Sequence, residues 1–201
     1  SLMLDTSGPG LYKRGYRAVG VAAPLRETLA AALVLLSGYR GRDPFCDPFC
    51  GSGTIAIEAA LAAKNRAPGL ERTFEAQKWR WLAEDVWRRS REEARSREYH
   101  GQYRILASDI DPRALELARA NARRAGVEEL IRFTLEDART LSSAGEEGTV
   151  CCNPPYGERM LQQKEAGELY RRFGKVVRRM PPNWRVEILS SHTEFEDCLG
   201  K

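Results

Sequence analysis

The sequence predicts an α/β fold in which parallel strands alternate with helices. Three observations predict it. Short apolar runs end in polar residues at Asp47, Asp109, Asp137 and Asn153. Helical stretches separate those runs, which is the pattern of β-α-β units rather than of hairpins. A glycine turn, Gly51-Ser52-Gly53, joins the first run directly to its helix. With 201 residues the chain is long enough for one domain with a substantial core.

Taken in order, residues 1–23 read as an N-terminal loop region. Ser1-Leu2-Met3 reads as a domain cut, and Lys13-Arg14-Gly15-Tyr16-Arg17 as either a solvated turn or a wall of a cleft. Residues 24–37 predict a helix. Pro24 stands at its start, where a missing N–H is tolerated, and Leu25, Leu29, Ala32, Leu33 and Leu36 recur at helical spacing and are expected to face the core. A strand follows over 44–47 and a helix over 54–65, in which Glu58 reads as a solvated or capping carboxylate. Residues 66–103 form a helical insertion. Trp79, Trp81 and Trp87 stand there among Arg80, Arg88, Arg89, Arg91, Arg95 and Arg97, with a helix over 87–99. Interleaved aromatics and arginines can stack on bases and touch phosphate. The preferred expectation is plainer: the tryptophans pack the insertion onto the sheet edge, and the arginines are solvated.

The second strand, 104–108, ends in Asp109-Ile110-Asp111-Pro112. Asp111 is expected to cap the next helix, Pro112 to begin it, Leu115, Ala118 and Ala122 to be buried, and Gly126 to stop it. The third strand, 130–135, ends at Glu136-Asp137-Ala138. A polar loop leads to the fourth, 148–152, and Asn153-Pro154-Pro155-Tyr156. The helix over 165–180 carries an apolar stripe (Leu169, Phe173, Val176, Val177, Met180), with Arg171, Arg172, Lys175, Arg178 and Arg179 on the remaining faces. Such a basic face is usually solvated but can touch RNA phosphate. A fifth strand over 184–190 and a helix over 194–200 complete the elements.

Composition narrows the class. Hydrophobic residues at 42% and charged residues at 30% are ordinary for a soluble protein. No apolar run reaches the roughly 18 residues of a membrane helix, and no secretory signal is visible. A net charge of +4 mildly favours a polyanionic partner. The five cysteines form no C-x-x-C pair and only two histidines are present, so no metal site is expected. The thiols read as buried and reduced, in a cytoplasmic enzyme.

The glycine turn asks for a ligand. Glycine removes the Cβ that would block close approach, and the following helix aims free N–H groups at what binds. A phosphate loop would need a lysine after Gly53, and none is there. Gly51-Ser52-Gly53-Thr54-Ile55-Ala56 fits a dinucleotide fingerprint formally, but the next strand-end acid, Asp109, lies far past the required spacing. Asp47, just before the turn, would repel a pyrophosphate yet accept hydrogen bonds from an amine-bearing cation. S-adenosyl-L-methionine is such a ligand.

Asp47-Pro48-Phe49-Cys50-Gly51-Ser52-Gly53-Thr54, then Asp109, Asp137 and Asn153-Pro154-Pro155-Tyr156, each stand at a strand end. At this point the chain resembles the class I methyltransferases that act on exocyclic amino groups. More narrowly it resembles the methyltransferase domain of the THUMP-associated RNA guanine-N2 methyltransferases of the bacterial 23S rRNA type. The residues that carry the resemblance are 13–17, 23–32, 47–60, 67–70, 108–112 and 153–159.

The resemblance implies a Rossmann-like doubly wound sheet, here short of its last two strands, so that the chain is a fragment or a shortened domain. It implies S-adenosyl-L-methionine as cofactor, held by Asp47, Phe49, Cys50, Gly51, Ser52, Gly53, Thr54, Asp109, Ile110, Asp137, Ala138 and Asn153. Within that set Asp109 is expected to accept the ribose hydroxyls and Asp137 the adenine amine. Asn153, Pro154 and Tyr156 are the catalytic candidates: two acceptors for the amine and a stacking face for its base. Ribosomal RNA is the expected partner, recruited by a THUMP-type domain of the full-length protein. The competing readings are an adenine-N6 DNA methyltransferase, a glutamine methyltransferase of proteins, and a nucleic-acid-binding fragment that has lost catalysis.

Overall fold

The computed structural model describes residues 2–17, 25–143, 145–155, 163–191 and 195–199. Its regular elements are α1 (Glu27–Leu36), β1 (Phe45–Asp47), α2 (Thr54–Ala63), α3 (Glu84–Ser96), β2 (Ile105–Asp109), α4 (Pro112–Ala125), β3 (Ile131–Leu135), β4 (Glu147–Cys152), α5 (Gln163–Val177), β5 (Asn183–Ile188) and α6 (Phe195–Leu199). The five strands described form one parallel sheet in the order β3-β2-β1-β4-β5. The chain lays β2 and β3 to one side of β1, then crosses back to place β4 on the other. The strand order therefore reverses between β1 and β4, which is where open α/β sheets open a crevice at their carboxyl ends. This is the Rossmann-like arrangement.

Both faces of the sheet are covered, and the side chains divide by alternation. Phe45, Ile105, Ala107, Ile131, Phe133 and Cys151 join the core under α1, α2 and α4. Cys46, Val150 and Cys152 join the core under α5, with Phe173 and Trp184. That two-sided burial explains why the strands read as continuous apolar runs rather than alternating ones. Helix α2 is buried nearly all round, and its alanines at 56, 59, 60 and 63 are at most 2% exposed, which lets α1 approach closely. Helix α4 begins and ends as its sequence dictates. Asp111 accepts from the Arg113 N–H at 2.9 Å, Pro112 is its first residue, and Gly126 terminates it with φ of 67°.

Two expectations are corrected. Helix α1 buries Glu27, Ala30, Leu33 and Val34, whereas Leu29 and Leu36 are 44% and 76% exposed. A stripe counted from leucines misses this because a carboxylate faces inward, where Glu27 meets Arg17 at 3.8 Å. Pro24 lies outside the described residues. The insertion, secondly, packs on the N-terminal loop rather than the sheet edge. Arg72 is 8% exposed; its guanidinium donates to the carbonyls of Ser7, Pro9 and Gly10 and lies 5.0 Å from the centroid of the Phe74 ring, which stacks on Trp87. Glu98 pairs with Lys64 and Arg66, fixing the far end of α3 to the end of α2. Trp81 stays 74% exposed, stacked on Trp79. No helix among the described residues is long and apolar enough to cross a membrane.

Phe173 on α5 is fully buried, and the Phe49 ring stands edge-on to it at 5.1 Å. Phe173→Ala is expected to cost about 3–5 kcal/mol in urea denaturation. A loss below about 1 kcal/mol would show that α5 is not held by this ring.

Candidate active site

The loop after β1 turns twice through left-handed backbone, at Gly51 (φ 50°) and Gly53 (φ 82°). A Cβ on Gly53 would stand 3.0 Å from the Ala118 Cβ, so this glycine lets α4 pack against the loop. A Cβ on Gly51 would meet nothing within 4 Å and would fill open space above the strand ends. The loop is clamped from its neighbours: Cys50 N–H donates to the Ser108 carbonyl (3.0 Å), Gly51 N–H to Asp109 Oδ2 (2.9 Å), and Asn121 Nδ2 to the Ser52 carbonyl (2.9 Å). Asp109 also receives the Asp111 N–H on Oδ1 at 3.0 Å. Each of its oxygens keeps a second lone pair for a hydroxyl donor. Ile110, beside it, is 70% exposed and offers an apolar surface at the sheet's carboxyl edge.

Asp47 is 1% exposed. Its Oδ1 accepts a long bond from the Phe49 N–H at 3.3 Å, while Oδ2 has no partner among the described residues. Burial pushes the carboxyl up to about 8, with the Phe49 N–H pulling it down and the Asp109 charge raising it. A buried carboxylate oxygen without a donor is costly, and an ammonium would supply one. The open space at Gly51, the strand-end carboxylate of Asp109 and this orphaned oxygen together fit an amine-bearing nucleoside such as S-adenosyl-L-methionine.

The remaining donor-side candidates are placed less directly. The side chains of Cys50 and Thr54 are buried, and the half-buried Phe49 ring packs against the core under α5. Asp137 carries local donors on both carboxylate oxygens. It caps its own turn through the Arg139 N–H and is gripped by the Arg139 guanidinium, whose bond holds it below the usual carboxylate range. Ala138 is buried at 3%.

On the acceptor side, Asn153 and Pro154 follow β4 directly, Asn153 half-buried and Pro154 buried. Parallel pairing of β4 with β1 brings this loop beside the glycine turn. The Pro155 carbonyl accepts from the Tyr170 hydroxyl at 2.5 Å. Tyr170 is fully buried on α5, edge-on to Phe195 at 4.7 Å. Tyr156 lies outside the described residues.

The family model described as "RMKL-like, methyltransferase domain" (UPF0020) matches residues 14–201. The chain belongs to the RMKL-like methyltransferase domain family. It is 43% identical over all its residues to the candidate RNA methyltransferase YpsC of Bacillus subtilis, of which it covers 52%. A Listeria monocytogenes crystal structure described as a predicted N6-adenine-specific DNA methylase superposes with a TM-score of 0.92 at 46% identity, over 98% of this chain and 52% of that one. The crystal structure of SMU.472, described as a methyltransferase candidate complexed with SAH, superposes at 0.91 with 40% identity, again over 98% and 52%. The chain thus spans about half the length of these relatives.

One part of this RMKL-like domain escaped the sequence reading. Glu58 is 2% exposed, not solvated. It receives the Tyr16 hydroxyl at 2.8 Å and the Arg14 guanidinium at 3.2 Å. Arg17 donates to Thr54 Oγ1 at 2.7 Å and to the Leu25 carbonyl, and Arg124 Nε to the Tyr16 carbonyl at 2.7 Å. The basic-aromatic cluster is therefore neither a solvated turn nor a free wall but a latch on the first turns of α2. The legible signal was an acid inside an otherwise apolar helix, which demands a buried partner. Burial pushes Glu58 up to about 7, with Arg14 and Tyr16 pulling the other way.

Asp47 and Glu58 hold protons in the folded chain that the unfolded chain releases. They therefore lower stability as pH rises, Asp47 between about 4 and 8 and Glu58 between about 4.5 and 7. Relative to wild type, Asp47→Asn is expected to gain stability on going from pH 5 to pH 8, read by urea denaturation at both. Parallel pH curves for the two proteins would overturn the assignment of a neutral Asp47.

Proposed function

We propose that this RMKL-like domain transfers a methyl group from S-adenosyl-L-methionine to the exocyclic amine of a nucleobase in RNA, guanine N2 of 23S rRNA. The observation that carries this reading is the placement of Asn153-Pro154-Pro155 at the end of β4, beside the glycine turn of β1. An aromatic amine is a poor nucleophile because its lone pair is delocalised into the ring. The Asn153 side-chain oxygen and the Pro154 carbonyl accept its two hydrogens, favour a pyramidal nitrogen and direct the lone pair toward the donor side. Two prolines and the Tyr170–Pro155 bond fix those acceptors before the base arrives, so little reorganisation remains at reaction. The cofactor supplies an electrophilic methyl on a sulfonium. Asp47 meets its ammonium, Asp109 its ribose hydroxyls and Ile110 its adenine. A base within a helix is first extruded.

The SAH held by the SMU.472 structure supports the cofactor, and the name of the B. subtilis relative supports RNA. The name of the Listeria structure supports a second reading, adenine N6 in DNA, through the same acceptor loop. In the leading reading a THUMP-type RNA-binding domain recruits the substrate, and the reaction is cytoplasmic.

Nucleoside mass spectrometry of ribosomal RNA from cells lacking the gene is expected to show loss of N2-methylguanosine. Loss of N6-methyladenine from DNA would establish the second reading instead. Asn153→Ala is expected to lower kcat by about 10²–10³ with SAH affinity within about twofold of wild type. Asp109→Ala is expected to weaken SAH by about ten- to a hundredfold in calorimetry. Normal turnover by Asn153→Ala would end the proposed activation of the amine.

A further inference from the structure

The flank of the sheet covered by α5 carries a second feature that neither loop uses. A groove of about 450 Å³ opens between α5 and the turn after β3. Arg139 and Thr140 line one side, and Arg172, Lys175 and Arg179 the other, over the single apolar residue Val176. Arg172 and Lys175 of α5 and Arg179 just past its end stand at positions i, i+3 and i+7, which share one helix face. The helical turn continues past Val177, since Arg178 N–H donates to the Gly174 carbonyl.

The groove has four cations against one carboxylate, Asp137, already held by Arg139. Arg172 pairs with Glu168 on its own helix. Lys175 and Arg179 are exposed, and no carboxylate among the described residues lies within ion-pair distance of either. The arginine-rich insertion differs sharply. Arg88, Arg89 and Arg97 of that region each pair with an acid four residues earlier or later, Glu92, Asp85 and Glu93. These three arginines are neutralised locally, whereas the α5 groove keeps a positive excess. The trough is open, with the aliphatic stems of its cations and Val176 beneath the charged heads. It suits a run of phosphates, whose counterions are released on binding.

Location identifies which phosphates. The strands described are all parallel, so the turn after β3 leaves the edge of the glycine turn and the Asn-Pro-Pro loop, and α5 carries its cations from that edge down the flank of the sheet. Helix α5 also carries Tyr170, which holds Pro155. We propose that this groove binds the phosphodiester backbone of the RNA strand whose base enters the Asn153 loop. The proposal rests on the RNA reading above and adds to it the surface that grips the strand.

The test is fluorescence anisotropy with this chain and a fluorescein-labelled, mixed-sequence single-stranded RNA of 20 nucleotides, because a phosphate contact needs no particular bases. K175E/R179E is expected to weaken binding at least tenfold. It should also flatten the dependence of log K on log salt by about 1.4, at roughly 0.7 per lost contact on a single strand. R88E/R89E makes the same charge change on α3 and is expected to stay within about twofold of wild type. Calorimetry with SAH should give wild-type affinity for both variants, showing an intact fold. Wild-type RNA affinity in K175E/R179E, an equal loss in R88E/R89E, no RNA binding by wild type, or preference for duplex DNA of the same length would each overturn the proposal. The two readings fail separately. A chain that binds RNA through the groove while N2-methylguanosine survives loss of the gene keeps the groove and loses the proposed substrate; N2-methylguanosine loss with full RNA affinity in K175E/R179E does the reverse.

Discussion

The parallel pairing of β1 with β4 is the constraint on which the cleft depends. Phe45 lies opposite Thr149 and Cys46 opposite Val150, and that register sets the two loops that leave these strands side by side. Neighbouring strands that run the same way cannot be joined by a tight turn, so the chain must travel through α2, β2, α4 and β3 before β4 arrives. The detour is useful. It brings Asp109 and Ser108 alongside the glycine turn, where they accept its N–H groups. It also brings Asn121 over the top, onto the Ser52 carbonyl. The donor loop is therefore held by residues more than fifty positions away.

Charge is distributed in a way that composition conceals. Acids with raised pKa values, Asp47 and Glu58, sit inside, one lacking a donor for an oxygen and one clasped by Arg14 and Tyr16. Along α3 and at its end, Arg88, Arg89 and Arg97 are matched locally. Lys175 in α5 and Arg179 just past its end are exposed cations with no acid in ion-pair reach among the described residues.

Much of the fold was legible because its signals are local. Asp111-Pro112 and Gly126 bracket α4 through bonds within a few residues of each end. Val150-Cys151-Cys152 read as a buried strand because both faces are covered. The glycine turn and the Asn-Pro-Pro loop stood out because their chemistry is written in consecutive residues. What was not legible depends on distant partners. The inward face of α1 follows from Arg17 reaching Glu27, not from the spacing of leucines. The seat of the insertion follows from Arg72 finding three carbonyls of the N-terminal loop. Tyr170 carries no local signal, and only its hydroxyl bond to the Pro155 carbonyl gives it a role. Asp137 reads as a free strand-end acid because nothing in its position announces that Arg139, two residues on, will take it.

The latch of Arg14, Tyr16 and Arg17 bears on where the functional unit begins. These residues lie in no helix or strand, and anyone trimming the molecule to its regular elements would start at α1 and discard them. The excised piece would keep every strand and both loops of the crevice. It would also keep Glu58 inside a dry helix, stripped of its hydroxyl and its guanidinium, and Thr54 would lose the hand that steadies it. The smallest portable version of this domain thus includes an irregular strap ahead of its first secondary structure.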